Sequence, residues 1–380
     1  MKILLCSPKP LKRELGCSKN LIELAEELEK IGWKCNLIDD LYLLKTRKIR
    51  NYFQLYSEAL KKYLEENSSN YDVILYEHQT LPYARSFFSE KALMVARPAL
   101  LLFHLEKTYI PIKKKLKTRV KDFLLADPNK RRLKRQIANS LITLQQADLV
   151  QAINNDDKSE IISRGIEPDK VIVVPNGIDR SRRVLFDRVS ATPPLKPKIA
   201  FVGTFDFRKG ALDFPKIVKL VSMSIPQVKF RLLGTSGLYR TEKEVLNFFP
   251  KQLRSYLEII PSYPAHELPQ LLSDCSVGIF PSYLEGFGFG ILEMLSASIP
   301  VFAYDVPGPS MMLSQEYLMP AGDFETLGNG VINLLKNPQK LAQSREQARE
   351  RSHDFSWEKT ARELDVIYKI NLEKIRKIKT

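Results

Sequence analysis

The 380-residue sequence predicts an α/β protein of two doubly wound domains facing across a cleft. Three observations carry that expectation. Short, unbroken apolar runs alternate with helical patterns along most of the chain, and runs such as Val171-Ile172-Val173-Val174 are what a parallel sheet covered on both faces requires. The alternation breaks once, over residues 181–197, where Pro193, Pro194 and Pro197 fall in a stretch without periodicity. It then restarts on a similar plan, and 380 residues are enough for two cores of ordinary size.

In the first half the expected strands are Lys2–Ser7, Cys35–Asp39, Asp72–Glu77, Ala99–Leu105, Ala147–Ile153 and Val171–Pro175. The clearest helix begins near Ser18, read as its N-cap, and sets Leu21, Leu24, Ala25, Leu28 and Ile31 on one stripe. After the proline-bearing stretch, strands are expected at Lys198–Gly203, Val228–Gly234, Leu257–Pro261, Val277–Pro281 and Pro300–Tyr304. A last helix from about Ser356 carries Trp357, Ala361, Leu364, Ile367 and Tyr368 on one face. The domains are therefore placed at 1–185 and 196–355, with the helix of about 356–380 docking back onto the first.

Composition narrows the class. No apolar run approaches the roughly 18 residues that span a bilayer, and the apolar start Ile3-Leu4-Leu5 is too short for a signal peptide. Cys6, Cys17, Cys35 and Cys275 make no C-x-x-C pair and no zinc-ligand spacing, so a reduced, cytoplasmic setting is expected. The formal charge of +15 calls for an anionic partner without choosing one.

In open parallel sheets ligands bind beyond the carboxyl ends of the strands. Two segments sit there. The run from Pro281 to Glu293 follows an expected strand, opens a helix, and contains Gly286, Gly288 and Gly290, which let a backbone approach a ligand closely. The helix end behind them offers free N–H groups to a phosphate. Glu285 before the turn and Glu293 along the helix could each accept two sugar hydroxyls; the same spacing also suits a glycine-rich turn with two solvated glutamates. The segment Phe201 to Gly210 brings Arg208 and Lys209 to the end of another strand, where two cations could neutralise a departing diphosphate or simply be a basic loop.

These segments resemble a known family. Glu285 to Glu293 matches the E-x7-E signature of retaining GT-B glycosyltransferases, in particular family 4. Phe201-Val202-Gly203 with Arg208-Lys209-Gly210, Val174-Pro175-Asn176-Gly177-Ile178-Asp179, Ala147-Asp148-Leu149-Val150 and Phe355-Ser356-Trp357 are similar to further pieces of it. The resemblance implies a GT-B fold of two Rossmann-like domains and transfer of a sugar from a nucleoside diphosphate donor to a hydroxyl acceptor, lipid-linked or part of a surface polysaccharide. It also implies that Lys209 and Arg208 hold the diphosphate, that Glu285 meets the sugar and Glu293 the ribose, and that Gly286, Phe287 and Gly288 present amides. Three positions depart from the family pattern. Thr204 stands where an Arg is frequent, Gly16 alone remains of a Gly-Gly pair in the acceptor-side loop, and Ser298 replaces a common Gly.

His104 ends an apolar run and, in similar proteins, that position lies near the reacting sugar; a structural histidine fits equally. No D-x-D triplet occurs, so no metal or other cofactor is expected. Residues 113–135 hold eleven Lys or Arg against two Asp, with Leu116, Val120, Phe123 and Leu124 at helical spacing. That pattern suits an anionic membrane surface at the inner face, and equally a helix packed on the core with its lysines in water. Without aromatic interleaving or a recognised module, nucleic acid is not an expected partner. A sugar-nucleotide epimerase and an inactive GT-B binding protein stay open as alternatives.

Overall fold

The structure, a computed structural model, describes residues 1–12, 16–45, 52–112 and 128–377. The described residues fall into two units. The first lies within Met1–Glu106, Lys114–Gly177 and Trp357–Thr380, the second within Lys107–Lys113 and Ile178–Ser356.

The first unit is a parallel sheet in the order β2-β1-β3-β4-β5-β6. Its strands are β1 (Lys2–Cys6), β2 (Lys34–Ile38), β3 (Val73–Glu77), β4 (Leu93–Arg97), β5 (Leu149–Ala152) and β6 (Val171–Val173). The run Ala99–Leu105 is not a strand, which corrects the sequence reading. Pro98 interrupts the chain ahead of it, and the ladder on β3 is taken by β4, with Val73 opposite Leu93 and Glu77 opposite Arg97. The later run buries Leu101 and Phe103 in the same core without joining the sheet.

The helix Gly16–Lys30 begins two residues before Ser18, whose hydroxyl donates to the Pro10 carbonyl instead of capping the helix. Its stripe of Leu21, Leu24, Ala25 and Leu28 is buried. The terminal helix Trp357–Lys377 packs against it within this unit. There Trp357 Nε1 donates to Glu23 Oε2 at 2.6 Å, Trp33 Nε1 to Asp365 Oδ1 at 2.9 Å, and the Trp33 and Tyr368 rings meet edge-on at 6.0 Å. Among the described residues, no helix is long and apolar enough to cross a membrane.

The second unit has its own parallel sheet, in the order β12-β11-β10-β7-β8-β9. The strands are β7 (Lys198–Val202), β8 (Lys229–Leu233), β9 (Leu257–Ile260), β10 (Val277–Phe280), β11 (Val301–Tyr304) and β12 (Leu318–Met319). The short β12 was not anticipated, because two residues leave no periodic trace. The division between units falls at Gly177/Ile178, before the proline-bearing stretch. The helix Arg180–Asp187 runs into that stretch, with Asp179 Oδ1 capping the Arg182 N–H at 3.0 Å and Phe186 fully buried. Three adjacent apolar residues, Val184 to Phe186, gave no helical period to read.

Ser298, just before β11, is left-handed at φ 60°, and its buried hydroxyl has no hydrogen-bond partner among the described residues. A left-handed conformation costs a non-glycine about 1–2 kcal/mol, which is the physical reason glycine suits this position.

Two stability predictions follow from the packing. Trp357→Phe leaves the buried Glu23 carboxylate short of a donor and should cost about 2 kcal/mol, a fall in Tm of about 4–8 °C by calorimetry; an unchanged Tm would contradict it. Ser298→Gly trades relief of that strain against about 0.5–1 kcal/mol of chain entropy. It should raise Tm by about 1–3 °C, and a lower Tm would show that the strain is not there.

Candidate functional site

In the second sheet the strand order reverses between β7 and β10, which lie side by side although β8 and β9 intervene in sequence. Such a switch point opens a crevice at the carboxyl ends of the two strands. The loops that follow β7 and β10 meet there and are stitched together. Tyr283 N donates to the Arg208 carbonyl at 2.8 Å, Arg208 NH1 to the Leu284 carbonyl at 2.8 Å, and Ser282 Oγ to the Arg208 carbonyl at 3.2 Å. Gly210, at φ +81°, lets the loops close: a Cβ there would stand 2.1 Å from the Pro281 carbonyl oxygen.

That stitching brings Arg208, Lys209 and Glu285 together. Glu285 is buried, and its Oε1 receives Lys209 Nζ at 2.5 Å, Ser282 Oγ at 2.5 Å and Arg208 NH1 at 3.2 Å. Lys209 Nζ also lies 4.6 Å from the centre of the Phe280 ring. Burial lowers the Lys209 pKa from its ordinary value, while the Glu285 charge opposes that shift. Thr204, where an arginine is frequent in the family, donates to Asp206 Oδ2 at 2.8 Å, and Asp206 Oδ1 accepts the Lys209 N–H at 3.0 Å. Thr204 therefore shapes the loop, and two cations still converge, from Arg208 and Lys209.

Gly286, Phe287 and Gly288 lead from Glu285 into the helix Phe289–Ser296, with Gly288 as its N-cap. Gly290 has a different reason from the ligand approach expected of it. A Cβ there would lie 2.2 Å from the Val202 carbonyl oxygen, so this glycine seats the helix directly on the end of β7. The arrangement sets a helix end, with its unsatisfied N–H groups and positive dipole, beside two cations and a carboxylate.

Glu293 projects from the same helix. It pairs with Arg182, a partner the sequence reading missed because it sits in the helix Arg180–Asp187. Tyr263 lies near enough to feel the Glu293 charge; burial, then that charge, raises its pKa. A further unforeseen support is Asp213, whose Oδ2 accepts from Tyr283 Oη at 2.5 Å and Tyr304 Oη at 3.0 Å. It ties the loops after β7 and β10 and the end of β11 to one buried carboxylate. An isolated Asp between Leu212 and Phe214 carries no sequence signal of such a role.

The remaining predicted residues belong to the first unit. His104 is not at a strand end but opens the short helix His104–Lys107, and its Nε2 meets Asp157 Oδ1 at 2.8 Å. Burial raises the Asp157 pKa, against the opposing His104 contact. Gly16 is the first residue of the helix Gly16–Lys30 rather than part of a described loop. Of the basic segment 113–135, residues 113–127 lie outside the described residues, and 128–135 begin the helix Pro128–Gln146.

Residues 185–351 match the family model of glycosyl transferases group 1. An uncharacterised glycosyltransferase of Methanocaldococcus jannaschii is 26% identical over 227 residues, which are 57% of this chain and 60% of that protein. A D-inositol 3-phosphate glycosyltransferase of Rhodococcus erythropolis is 25% identical over 60% of this chain and 54% of its own length. The chain thus matches little more than half the length of these relatives. Among solved structures, sucrose-phosphate synthase of Thermosynechococcus elongatus superposes with a TM-score of 0.70 at 19% identity, covering 97% of this chain and 98% of that one. Anabaena HepE in complex with UDP-glucose gives 0.64 at 18%, covering 97% and 99%. Residues 185–351 thus resemble glycosyl transferases group 1, in a chain that shares the GT-B fold of these structures.

Proposed function

We propose that the chain is a retaining glycosyltransferase that moves a sugar from a nucleoside diphosphate donor to a hydroxyl acceptor. The observation that carries this reading is the convergence of Lys209, Arg208 and Glu285 at the β7/β10 switch point, beside the end of the helix Phe289–Ser296. Cations and helix N–H groups placed where a diphosphate departs stabilise charge that grows in the transition state. The Glu285 carboxylate, with three donors gathered on Oε1, is fixed in orientation and offers Oε2 to sugar hydroxyls. Glu293 would take the ribose, sharing its charge with Arg182. Front-face attack by the acceptor hydroxyl as diphosphate leaves would retain the anomeric configuration. The cations present need no metal to neutralise the leaving group.

Support comes from the family match over residues 185–351 and from the UDP-glucose complex of the structurally similar HepE. The reading extends to a carbohydrate or lipid-linked acceptor at an inner membrane face, with the basic residues 113–135 supplying affinity for anionic lipid.

Glu285→Gln and Lys209→Ala should each lower transfer by at least about 10²–10³-fold with the fold retained, read as nucleotide release with acceptor present and as Tm. Wild-type turnover in both variants would remove the site. The lowered Lys209 pKa has a sign in the free enzyme: the ammonium is charged at low pH and is lost as pH rises. The alkaline limb of kcat/KM should therefore begin below the ordinary lysine value of about 10.4. In Lys209→Arg, whose side chain keeps its charge, that limb should vanish from whatever activity remains; an identical limb would assign it elsewhere.

A further inference from the structure

The rule that locates the site in the second sheet applies to the first. There the order reverses between β1 and β3, and a cavity of about 190 Å³ opens at that point, walled by Ser7 and Pro8 after β1, Glu77 at the end of β3 and Arg97 at the end of β4. It shares Phe53 and Gln79 with a wider cavity of about 830 Å³, so the two form one groove. The deep end holds a buried cation. Arg97 is only 4% exposed, donates through NH2 to Asn176, and keeps an Nε–H with no acceptor among the described residues. The outer end is basic. The helix Pro128–Gln146 lines it with Arg131 and Arg135, one turn apart on the same face, and with Arg132 beside them. Among the described residues, Glu58 and Glu77 are the acids that stand against these and Lys9 in the walls.

We propose that this groove binds the acceptor and that the acceptor is a phosphate-bearing carbohydrate. Arginine forks match phosphate oxygens in pairs, and three of them on one helix face bind such a group far better than a neutral sugar. Phe53 and Tyr83 supply flat apolar surface for a sugar ring, and the narrow inner cavity admits a hydroxyl-bearing end next to Arg97 and Glu77. The inference deepens the transferase reading and rests on it. The phosphate could belong to a soluble sugar phosphate or to a polyprenyl diphosphate sugar; the groove reads the chemistry the two share.

The test is calorimetric titration of the full chain with a hexose 1-phosphate, the matching free hexose, a short-chain polyprenyl diphosphate hexose, and the nucleoside diphosphates UDP, GDP, ADP and dTDP. Wild type should bind at least one phosphate-bearing probe and bind the free hexose at least 10-fold more weakly. Arg131→Ala/Arg135→Ala, at exposed positions, should lose at least 10-fold in affinity for that probe, keep its Tm, and bind the nucleoside diphosphate that wild type takes within 2-fold of wild type. Which of the two phosphate probes binds identifies the source. Equal binding of hexose and hexose phosphate, binding of neither phosphate probe, or an unaffected double variant would overturn the proposal. Failure of wild type to bind any nucleoside diphosphate would instead strike the transferase reading, leaving the groove to be judged on the phosphate probes alone.

Discussion

The second unit depends on one constraint: the loops after β7 and β10 must touch. Gly210 allows the contact, the backbone bonds between residues 208 and 283 hold it, and Lys209 and Glu285 meet only because of it. A buried ion pair is a weak source of stability by itself, since desolvation consumes much of the Coulomb gain. Here a lysine, an arginine and a serine hydroxyl share one carboxylate oxygen, and burial depresses the lysine pKa. A preorganised cluster of this kind is what the proposed diphosphate site requires.

Much of the architecture was legible in the sequence, and the reasons are physical. Strands buried on both faces must be continuously apolar, so ten of the twelve announced themselves within a residue or two. The two that escaped show where the signal fails. Leu93–Arg97 ends in a charged residue and is followed by a longer apolar run that is only core filling, and Leu318–Met319 is too short to have a period. The Glu285, Arg208 and Lys209 cluster could be read because loop residues at strand ends are placed by topology. What could not be read was pairing across distance: Arg182 with Glu293, Asp157 with His104, and two tyrosines on Asp213. Nor did spacing distinguish the reasons for glycine. Gly290 is required by the carbonyl of Val202, a demand that comes from another strand.

The two sheets use one principle with different chemistry. Each places its candidate site where its strand order reverses. In the second sheet that site is built of loop backbone, a helix end and a shared carboxylate. In the first it is a groove between strand ends and a helix studded with arginines. The excess of positive charge noted in the composition thus acquires two specific addresses, and among the described residues no group of three or more His, Cys, Asp or Glu could hold a metal ion.

The membership of Trp357–Lys377 in the first unit has a consequence for how the protein is made. The second unit is contiguous from Ile178 to Ser356 apart from a short strand of chain near residue 110, so its sheet can assemble while the ribosome is still adding residues. The first unit lacks the helix that packs on Gly16–Lys30 and meets Trp33 until residues 357–377 are translated. Of the two units, the one begun first is therefore the one completed last.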